Sequence, residues 1–305
     1  MQSSYLLKKK IIENVAIIIV NWKQYELTKK CIESIYNSNA TNFNIILVDN
    51  ECQIEPLTEL KKDFKQIKIF KNISNLGFAA ANNIGLNYAI ANKYDFILLL
   101  NNDAEVEKGF LQPLMNSLKR NNRLGAVQPV IMEYYIRKKV WNSGGYLNDF
   151  FGLPYTNKKL NLKINEVDWI TGCCILIKTS VVEKVGLLDD NFFAYFEDVD
   201  WSIRMQELGY RLGLVKNSIV YHHGSKSLSN SVSEGVLSPL IHYLNIKNHI
   251  YLIKKHKNKF NPFGVCVFQI SKFFTYVIYF TIRLRFKKLR MVCEGFVDGI
   301  NKKVN

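Results

Sequence analysis

Short apolar segments alternate with helical patterns throughout the first third of the chain. The apolar segments span residues 15–20, 45–48, 67–70 and 96–100, and helical patterns lie between them at 25–36, 57–64 and 79–91. Strands that alternate with helices in this way form βαβ units. The sequence therefore predicts an α/β fold with a mostly parallel central sheet flanked by helices.

The fourth apolar segment ends in an abrupt polar turn, Asn101-Asn102-Asp103. In open α/β sheets, ligands bind in the crevice outside the carboxyl ends of the strands. A carboxylate there can hold a hard divalent cation and, through it, a nucleotide diphosphate. Asp103 is therefore a candidate metal ligand, and an Asx turn with a purely structural role is the alternative.

Composition narrows the class of partner. The 305 residues carry a formal net charge of +15, which favours an anionic partner such as a phosphorylated ligand or an acidic membrane surface. We expect no nucleic acid, because the chain has neither zinc-finger spacing nor an aromatic RNA-binding signature. The six cysteines form no CxxC pair, which is typical of reduced cytosolic thiols.

The start of the chain is similar to a signal peptide, because a lysine run at 8–10 precedes the first apolar segment. That segment is too short for a secretory signal, and Asn21-Trp22-Lys23 offers no small-residue cleavage pattern. We predict a strand at 15–20 and a cytoplasmic protein.

The alternation of strand and helix patterns is less regular in the second half of the chain. A helix is expected from about residue 108 to 121, with strands at 126–131 and 173–177. Ser180 and Glu183 fit a capping box at the start of a short helix. A further helix at 197–208 should end before Gly209, and two short strands should follow and end at 221–223.

Three carboxylates, Glu197, Asp198 and Asp200, open the helix predicted at 197–208. Helix capping by itself explains such a cluster, because the helix dipole favours negative charge at this end. The aromatic residues at 193, 195 and 196 would partly desolvate a carboxylate and raise its pKa. A carboxylate of that kind suits a general base that removes a proton from a sugar hydroxyl.

Two adjacent histidines, His222 and His223, follow the last predicted strand. A neutral imidazole together with a carboxylate can bind Mn²⁺ or Mg²⁺. Adjacent strand residues point to opposite faces, so at most one of the two should reach a site. The alternative is that both are ordinary surface residues.

The chain from Ser238 onward has a helical pattern throughout. The segment 263–282 is strongly apolar and long enough to cross a membrane, but Lys272 interrupts it near the middle, and basic residues follow at 283–290. This pattern favours a helix that lies on an anionic membrane surface, and a helix packed on the domain is the alternative.

Several motifs occur in the order typical of one enzyme family. They are Asn21 at the end of the first strand and the segments 48–50, 75–79, 101–103, 197–200, 209–210 and 221–224, together with Asn82. Over about residues 15 to 225 the chain resembles a family 2 glycosyltransferase of the GT-A fold, in the branch of the bacterial rhamnosyltransferases. The ordered set is specific, although each motif alone is weak.

The resemblance implies a site with three parts. Asp198 would be the catalytic base of an inverting transfer, and Asp103 and His222 would bind a divalent cation, Mn²⁺ or Mg²⁺. The residues implied on the donor side are Asn21, Asp49, Asn75, Gly77, Phe78, Asn101, Asn102 and Asp103, with Asp49 on the nucleotide base. The residues implied on the acceptor side are Trp169, Gly172, Glu197 and Trp201.

Two positions depart from the family pattern. The family usually has an acid at the first position of the metal motif, where this chain has Asn101. Because a neutral amide replaces the acid, the site has one negative charge fewer and should bind a cation more weakly. Lys23 stands where the family commonly has Asn.

By resemblance, a GT-A domain should span residues 1–235, with a nucleotide-binding half at about 12–105 and an acceptor half at about 106–235. A basic, helical and membrane-associating region should span 236–305. The implied reaction moves a sugar, with rhamnose the first candidate, from a dTDP- or UDP-linked donor to a hydroxyl of a glycan or a polyprenyl-diphosphate-linked acceptor. It would belong to surface polysaccharide biosynthesis at the inner face of the cell membrane.

Two other functions remain open from the sequence. A non-catalytic membrane-bound scaffold would keep the fold, and Asn101 favours it. A nucleotidyltransferase would share the nucleotide-binding half, but the expected Gly-rich phosphate loop is missing after the first strand, where residues 21–25 read Asn-Trp-Lys-Gln-Tyr.

Overall fold

The computed structural model describes residues 14–160, 165–224 and 237–304. The lysine run at 8–10 and the boundary expected at 235/236 lie outside these residues.

The described residues form a large sheet with helices on both faces and three helices at the C-terminal end. The strands are β1 (Val15–Asn21), β2 (Phe43–Asn50), β3 (Lys68–Asn72), β4 (Phe96–Asn101), β5 (Ala104–Val106), β6 (Leu124–Glu133), β7 (Val140–Asn142), β8 (Gly145–Asn148), β9 (Leu153–Thr156), β10 (Glu166–Val167), β11 (Cys174–Lys178) and β12 (Arg211–His222). The α-helices are α1 (Tyr25–Tyr36), α2 (Ile54–Asp63), α3 (Gly77–Ala91), α4 (Leu111–Arg120), α5 (Thr179–Val185), α6 (Glu197–Glu207), α7 (Pro239–Lys255), α8 (Pro262–Ile282) and α9 (Phe286–Asn301).

The central sheet is mostly parallel, as predicted. Its strand order is β10-β12-β6-β11-β4-β1-β2-β3, and β5 and β7 pair with β12 and β6 respectively. Strands β3, β2, β1 and β4 run parallel, β12 runs parallel to β6, and β11 is antiparallel to both of its neighbours. Parallel strands are buried on both faces, which explains why β1 and β4 read as continuous apolar runs.

Alternate residues of β1 pack into two different cores. Ile17 lies in a core with Leu57 of α2 on one face of the sheet, whereas Ile18 packs with Leu86 of α3 on the other. The period of two along a strand gives this alternation. Because β1, β2, β3 and β4 are parallel, the polar residues at their carboxyl ends lie at one edge of this sheet.

Two local expectations for the second half are wrong. Helix α5 begins at Thr179 and makes no side-chain cap hydrogen bond, so Ser180 and Glu183 form no capping box. The two short strands expected before His222 are one strand, β12, whose pairing with β6 shifts register between Val215 and Ile219. A β-bulge bends a strand without ending it. The interrupted sequence pattern at the bend predicts two separate strands.

The C-terminal helices share a core with α6 and the residues before it. Phe192 and Val199, before and within α6, pack with Tyr251 of α7 and Val265 of α8. Helix α9 packs on α7 through Val292 and Ile250. Helices α7 and α8 therefore help to fix the position of α6, which carries the acidic cluster.

Candidate active site

A cleft of about 490 Å³ opens at the carboxyl ends of the parallel strands, between them and the segment 193–199. It brings together most of the residues expected to act. Those that line it are Asn75, Gly77, Phe78, Asn101, Asn102, Asp103, Trp169, Gly172, Glu197, Asp198 and His222. The candidate base and the two candidate metal ligands therefore face one space, although they are far apart in the sequence.

Asn21 and Asp49, expected on the donor side, lie beneath the cleft and are not among its lining residues. Both side chains are fully buried, and Asn21 Nδ2 donates to Asp49 Oδ1 at 2.7 Å. The second oxygen of Asp49 accepts from the Tyr25 hydroxyl at 2.8 Å. Asn21 Oδ1 accepts from Thr28 Oγ1 at 2.8 Å. These bonds satisfy the buried polar groups and join β1, β2 and α1 below the site.

Trp201 also lies outside the cleft, contrary to the acceptor-side expectation. Its side chain is fully buried in the core with residues of α3 and α5, and its indole N–H donates to the carbonyl of Gly186 at 2.9 Å. Trp201 therefore anchors α6.

Asn50 organises the turn that forms the donor-side wall. Its Nδ2 donates to Asn75 Oδ1 at 2.8 Å, and its Oδ1 accepts from the backbone N–H of Leu76 at 3.0 Å. Gly77, at a φ of +84°, receives the backbone of Phe193 so closely that a Cβ would lie 2.5 Å from the Phe193 carbonyl oxygen. Glycine is therefore required at this point of the cleft.

The candidate metal ligands form a close pair. Asp103 Oδ1 and His222 Nε2 are 3.1 Å apart, and both side chains are almost completely buried. Burial acts to raise the pKa of Asp103, but the hydrogen bond and charge of His222 lower it below its usual value. Burial acts to lower the pKa of His222, but the Cys173 thiol and the Asp103 carboxylate raise it well above its usual value.

The pair fits two neighbouring positions around a divalent cation. Adjacent vertices of an octahedron with bonds of about 2.1 Å are about 3 Å apart, which matches the 3.1 Å between Asp103 Oδ1 and His222 Nε2. Carboxylate and imidazole ligands suit Mn²⁺. Within residues 14–160, 165–224 and 237–304, no group of three or more His, Cys, Asp and Glu side chains is arranged to hold a metal ion.

A second carboxylate–imidazole pair lies outside the cleft lining; Glu105 is two residues after Asp103, and His223 directly follows His222. His223 Nε2 lies 3.0 Å from Glu105 Oε1, and the His223 ring stacks on Tyr134 at 3.6 Å. In contrast, the edge of His222 meets Trp141 in the cleft, with ring centroids 4.4 Å apart. Only one of the adjacent histidines faces the site, as expected for neighbouring strand residues.

Glu197 and Asp198 form a pair of carboxyl groups with different surroundings. Asp198 is half-buried, with Oδ2 accepting from the backbone N–H of Gly172 at 2.8 Å and Oδ1 from Val199 at 2.9 Å. Glu197 is buried, and its Oε2 has no hydrogen-bond partner among the described residues. Burial and the charge of Asp198 raise the pKa of Glu197 well above its usual value, and burial also raises that of Asp198. The two backbone N–H donors favour the ionised form of Asp198, whereas burial without a partner for Oε2 favours the neutral form of Glu197.

The third acid of the cluster has a structural role. Asp200 is fully buried and accepts from His256 Nε2 at 2.9 Å and from Lys255 Nζ at 2.8 Å, which joins α6 to α7. Its other oxygen accepts from Arg204 Nε at 2.8 Å. Burial acts to raise the pKa of Asp200, but these partners lower it to about 2.

Several lining residues were missed from the sequence. They are Trp141 and Asn142 of β7, Thr171 and Cys173 ahead of β11, and Asn245 of α7. A Gly- and aromatic-rich composition around Trp141 was the signal available in the sequence. Nothing in the pattern of α7 marks Asn245 as a cleft residue.

Comparison with known proteins agrees with this architecture. The model of the family Glycosyl transferase family 2 matches residues 16–186. The low-salt glycan biosynthesis hexosyltransferase Agl10 of Haloferax volcanii is 26% identical over 208 residues, which cover 67% of this chain and 65% of that protein. The N-acetylglucosaminyl-diphospho-decaprenol L-rhamnosyltransferase of Mycobacterium tuberculosis is 23% identical over 234 residues, covering 69% of this chain and 76% of that protein.

The fold is also that of solved glycosyltransferases. The crystal structure of GalNAc-T7 with UDP, GalNAc and Mn²⁺ superposes with a TM-score of 0.64 at 17% identity, over 81% of this chain and 48% of that one. The chain thus spans less than two thirds of the length of Agl10 and about half of that of GalNAc-T7. The family model covers more than half of the chain, from β1 to the end of α5. The chain therefore belongs to glycosyl transferase family 2 and has the GT-A fold.

Proposed function

We propose that this chain is an inverting glycosyltransferase that moves a sugar from a nucleoside diphosphate sugar to a hydroxyl of a glycan or lipid-linked acceptor. The observation that carries the proposal is that Asp198 faces the same cleft as Asp103 and His222. A base is needed at the acceptor hydroxyl and a positive charge at the leaving diphosphate, and the cleft has residues suited to both.

Asp198 would act as the general base. It takes the proton of the acceptor hydroxyl as that oxygen bonds to the anomeric carbon and the bond to the diphosphate breaks. A single displacement of this kind inverts the anomeric configuration and needs no covalent sugar–enzyme intermediate. Glu197 supports this role because its buried carboxyl group lacks a partner for Oε2 and favours the neutral form, whereas the two backbone N–H donors favour the negative charge on Asp198.

Asp103 and His222 would hold the divalent cation. When bound, the cation would neutralise charge on the diphosphate leaving group as a Lewis acid. Asn101 keeps a neutral amide in the cleft where the family usually has a second acid. The described residues would therefore supply only one carboxylate to the cation, so we expect weaker metal binding than in family members with two acids.

The name of one relative supports a choice of sugar and acceptor. The mycobacterial relative is named as an L-rhamnosyltransferase of N-acetylglucosaminyl-diphospho-decaprenol, which favours rhamnose as the sugar, with dTDP-rhamnose as the first donor to test, and a polyprenyl-diphosphate-linked acceptor. A UDP-linked sugar is the next candidate.

The test is release of nucleoside diphosphate from dTDP-rhamnose and a panel of UDP and GDP sugars, with Mn²⁺ and polyprenyl-diphosphate-linked N-acetylglucosamine as acceptor. We expect release and a glycosylated lipid from one donor of the panel. If the folded protein releases nothing from any donor, it is a non-catalytic scaffold; release of pyrophosphate from a nucleoside triphosphate indicates a nucleotidyltransferase.

We also propose that α8 lies on an anionic membrane surface. One helix among the described residues, Pro262–Ile282, is long and apolar enough to cross a membrane by length and composition. Its inner face packs on the domain, because Lys272 Nζ and Gln269 Nε2 both lie within 3.2 Å of His249 Nδ1. Its outer face exposes an apolar stripe at helical spacing, made of Phe263, Val267, Ile270, Phe274, Ile278 and Ile282. Basic residues at 283, 285, 287 and 290 follow the stripe, which suits a helix lying in the interface.

Replacing two residues of this stripe should release the protein from vesicles. We expect Ile278→Asp/Ile282→Asp to weaken binding to phosphatidylglycerol vesicles by about tenfold or more, since a fully buried Ile contributes on the order of 1.5–3 kcal/mol. Flotation measures the bound fraction. The control Ile54→Asp/Ile73→Asp changes two isoleucines of equal or greater exposure in the nucleotide-binding half. Equal loss in both variants would contradict the proposal.

A further inference from the structure

The segment 192–196, which forms one wall of the cleft, has a strained backbone. Phe193, Tyr195 and Phe196 have φ values of +61°, +71° and +73°. Side chains with a Cβ rarely adopt this region, and aromatic residues there are unusual. Such strain persists only where surrounding contacts hold the backbone, and it is concentrated at functional sites.

One buried amide holds this segment. Asn248 Nδ2, on α7, donates to the carbonyl oxygens of Phe192 at 2.5 Å, Ala194 at 2.7 Å and Tyr195 at 3.1 Å. Asn248 is fully buried and does not line the cleft. The next residue of α7, His249, stacks its ring on Phe196 with centroids 5.1 Å apart and planes 7° apart.

The nucleotide-binding half holds the segment from the other side. The backbone carbonyl of Phe193 accepts from the N–H groups of Phe78 at 2.6 Å and Ala79 at 3.3 Å, in the first turn of α3. The segment is therefore fixed between α3 and α7. Phe196 is its last residue, and α6 with Glu197 and Asp198 begins directly after it.

We propose that Asn248 is a positioning residue that holds the segment 192–196 in its strained conformation and thereby sets the place of the Asp198 carboxylate. The inference rests on the proposed function, because it concerns the geometry of the same base. Asn248 lies outside residues 16–186, which the family model matches. The C-terminal helices would thus complete the catalytic site in addition to any role at the membrane.

Replacing Asn248 should lower turnover with little effect on donor binding. We expect kcat of Asn248→Ala to fall by about tenfold to a hundredfold, since a misplacement of about 1 Å can cost about 10²-fold. The Kd for the nucleoside diphosphate released in the assay should stay within about threefold, because the Asp103–His222 pair and the Asn50–Asn75 hydrogen bond do not involve the segment 192–196. Hydrogen exchange supplies a second readout: the amides of residues 78 and 79 should exchange faster once the Phe193 carbonyl is released.

Lys254→Met is the matched control. Lys254 is also on α7 and also donates to three backbone carbonyls, those of Gly299, Ile300 and Lys302 at the end of α9. This variant should keep kcat and normal exchange at residues 78 and 79. If Asn248→Ala does not fold, Asn248→Ser keeps one donor and should show the same effects at smaller size.

The outcomes separate this inference from the proposed function. An active wild-type protein whose Asn248 variants keep kcat, or keep normal exchange at residues 78 and 79, overturns the positioning role alone. A wild-type protein that releases no nucleoside diphosphate overturns the proposed function, and this inference with it. If Lys254→Met lowers kcat as much as Asn248→Ala does, the positioning role is also overturned, because a general loosening of α7 would then explain both losses.

Discussion

Asp198→Asn should abolish sugar transfer, with a fall in kcat of about 10²–10⁴-fold, the usual contribution of a general base. The amide has the same shape and can still accept from the backbone N–H of Gly172, but it cannot take a proton. The Kd of the donor should remain near the wild-type value. Nucleoside diphosphate release and calorimetry measure the two quantities, and unchanged turnover would refute the assignment.

The pH dependence of kcat should also identify Asp198 as the base. The base must be ionised to act, so kcat should rise with pH through the apparent pKa of the Glu197–Asp198 pair and then level off. Burial raises the pKa values of both carboxyl groups, so this limb should lie above the usual range of a carboxyl group. Residual activity of Asp198→Asn should not follow it.

Asp200→Asn is the control for Asp198→Asn. It makes the same substitution two residues farther along α6, where we expect it to lower the stability of the fold. The pKa of Asp200 is lowered to about 2, so its ionised form stabilises the fold above its unfolded-state pKa of about 3.9, and this stability is lost as the pH falls towards 2. Removing one partner of a buried ion pair costs about 3–5 kcal/mol, so the Tm of Asp200→Asn should fall at neutral pH. In contrast, burial raises the pKa of Asp198, so its ionised form lowers the stability of the fold at neutral pH. Asp198→Asn should therefore keep or raise the Tm. A lower Tm in both variants would show that α6 is simply unstable to substitution.

Removing either candidate metal ligand should make nucleotide binding independent of Mn²⁺. We expect Asp103→Asn and His222→Gln each to weaken binding of the nucleoside diphosphate by at least about tenfold in Mn²⁺, given that loss of even an outer partner of a metal site costs about 10–100-fold. In a chelator, the variants and the wild type should bind equally. Titration calorimetry with and without Mn²⁺ measures this difference.

The neighbouring pair provides a matched control for the metal site. Glu105→Gln and His223→Gln make the same chemical changes two residues after Asp103 and one residue after His222, outside the cleft. These variants should keep Mn²⁺-dependent binding. If they lose it to the same extent, or if the wild type binds equally with and without chelator, Asp103 and His222 are not the metal ligands.

The fold followed largely from local pattern. Buried parallel strands are apolar on both faces, so β1, β2 and β4 stand out in the sequence and their carboxyl ends mark a binding edge. Errors came where local pattern and tertiary context differ, as at the bulge that joins two expected strands into β12. Asn21 and Asp49 occupy strand ends, but each satisfies the other below the cleft, and this pairing depends on the approach of two strands.

Local pattern along the chain predicts the alternation of strands and helices and the ends of the parallel strands, and the resemblance adds Asp103, Asp198 and His222 as candidates. These features are local, because they depend on hydrophobic period and residue type. The three-dimensional packing sets which acid of α6 is half-buried and which is paired, and it brings Asn248 against the wall beside the candidate base. Those choices depend on long-range contacts between α3, α6 and α7, and the burial and hydrogen bonding that such contacts impose leave no mark in the spacing of residues along the chain.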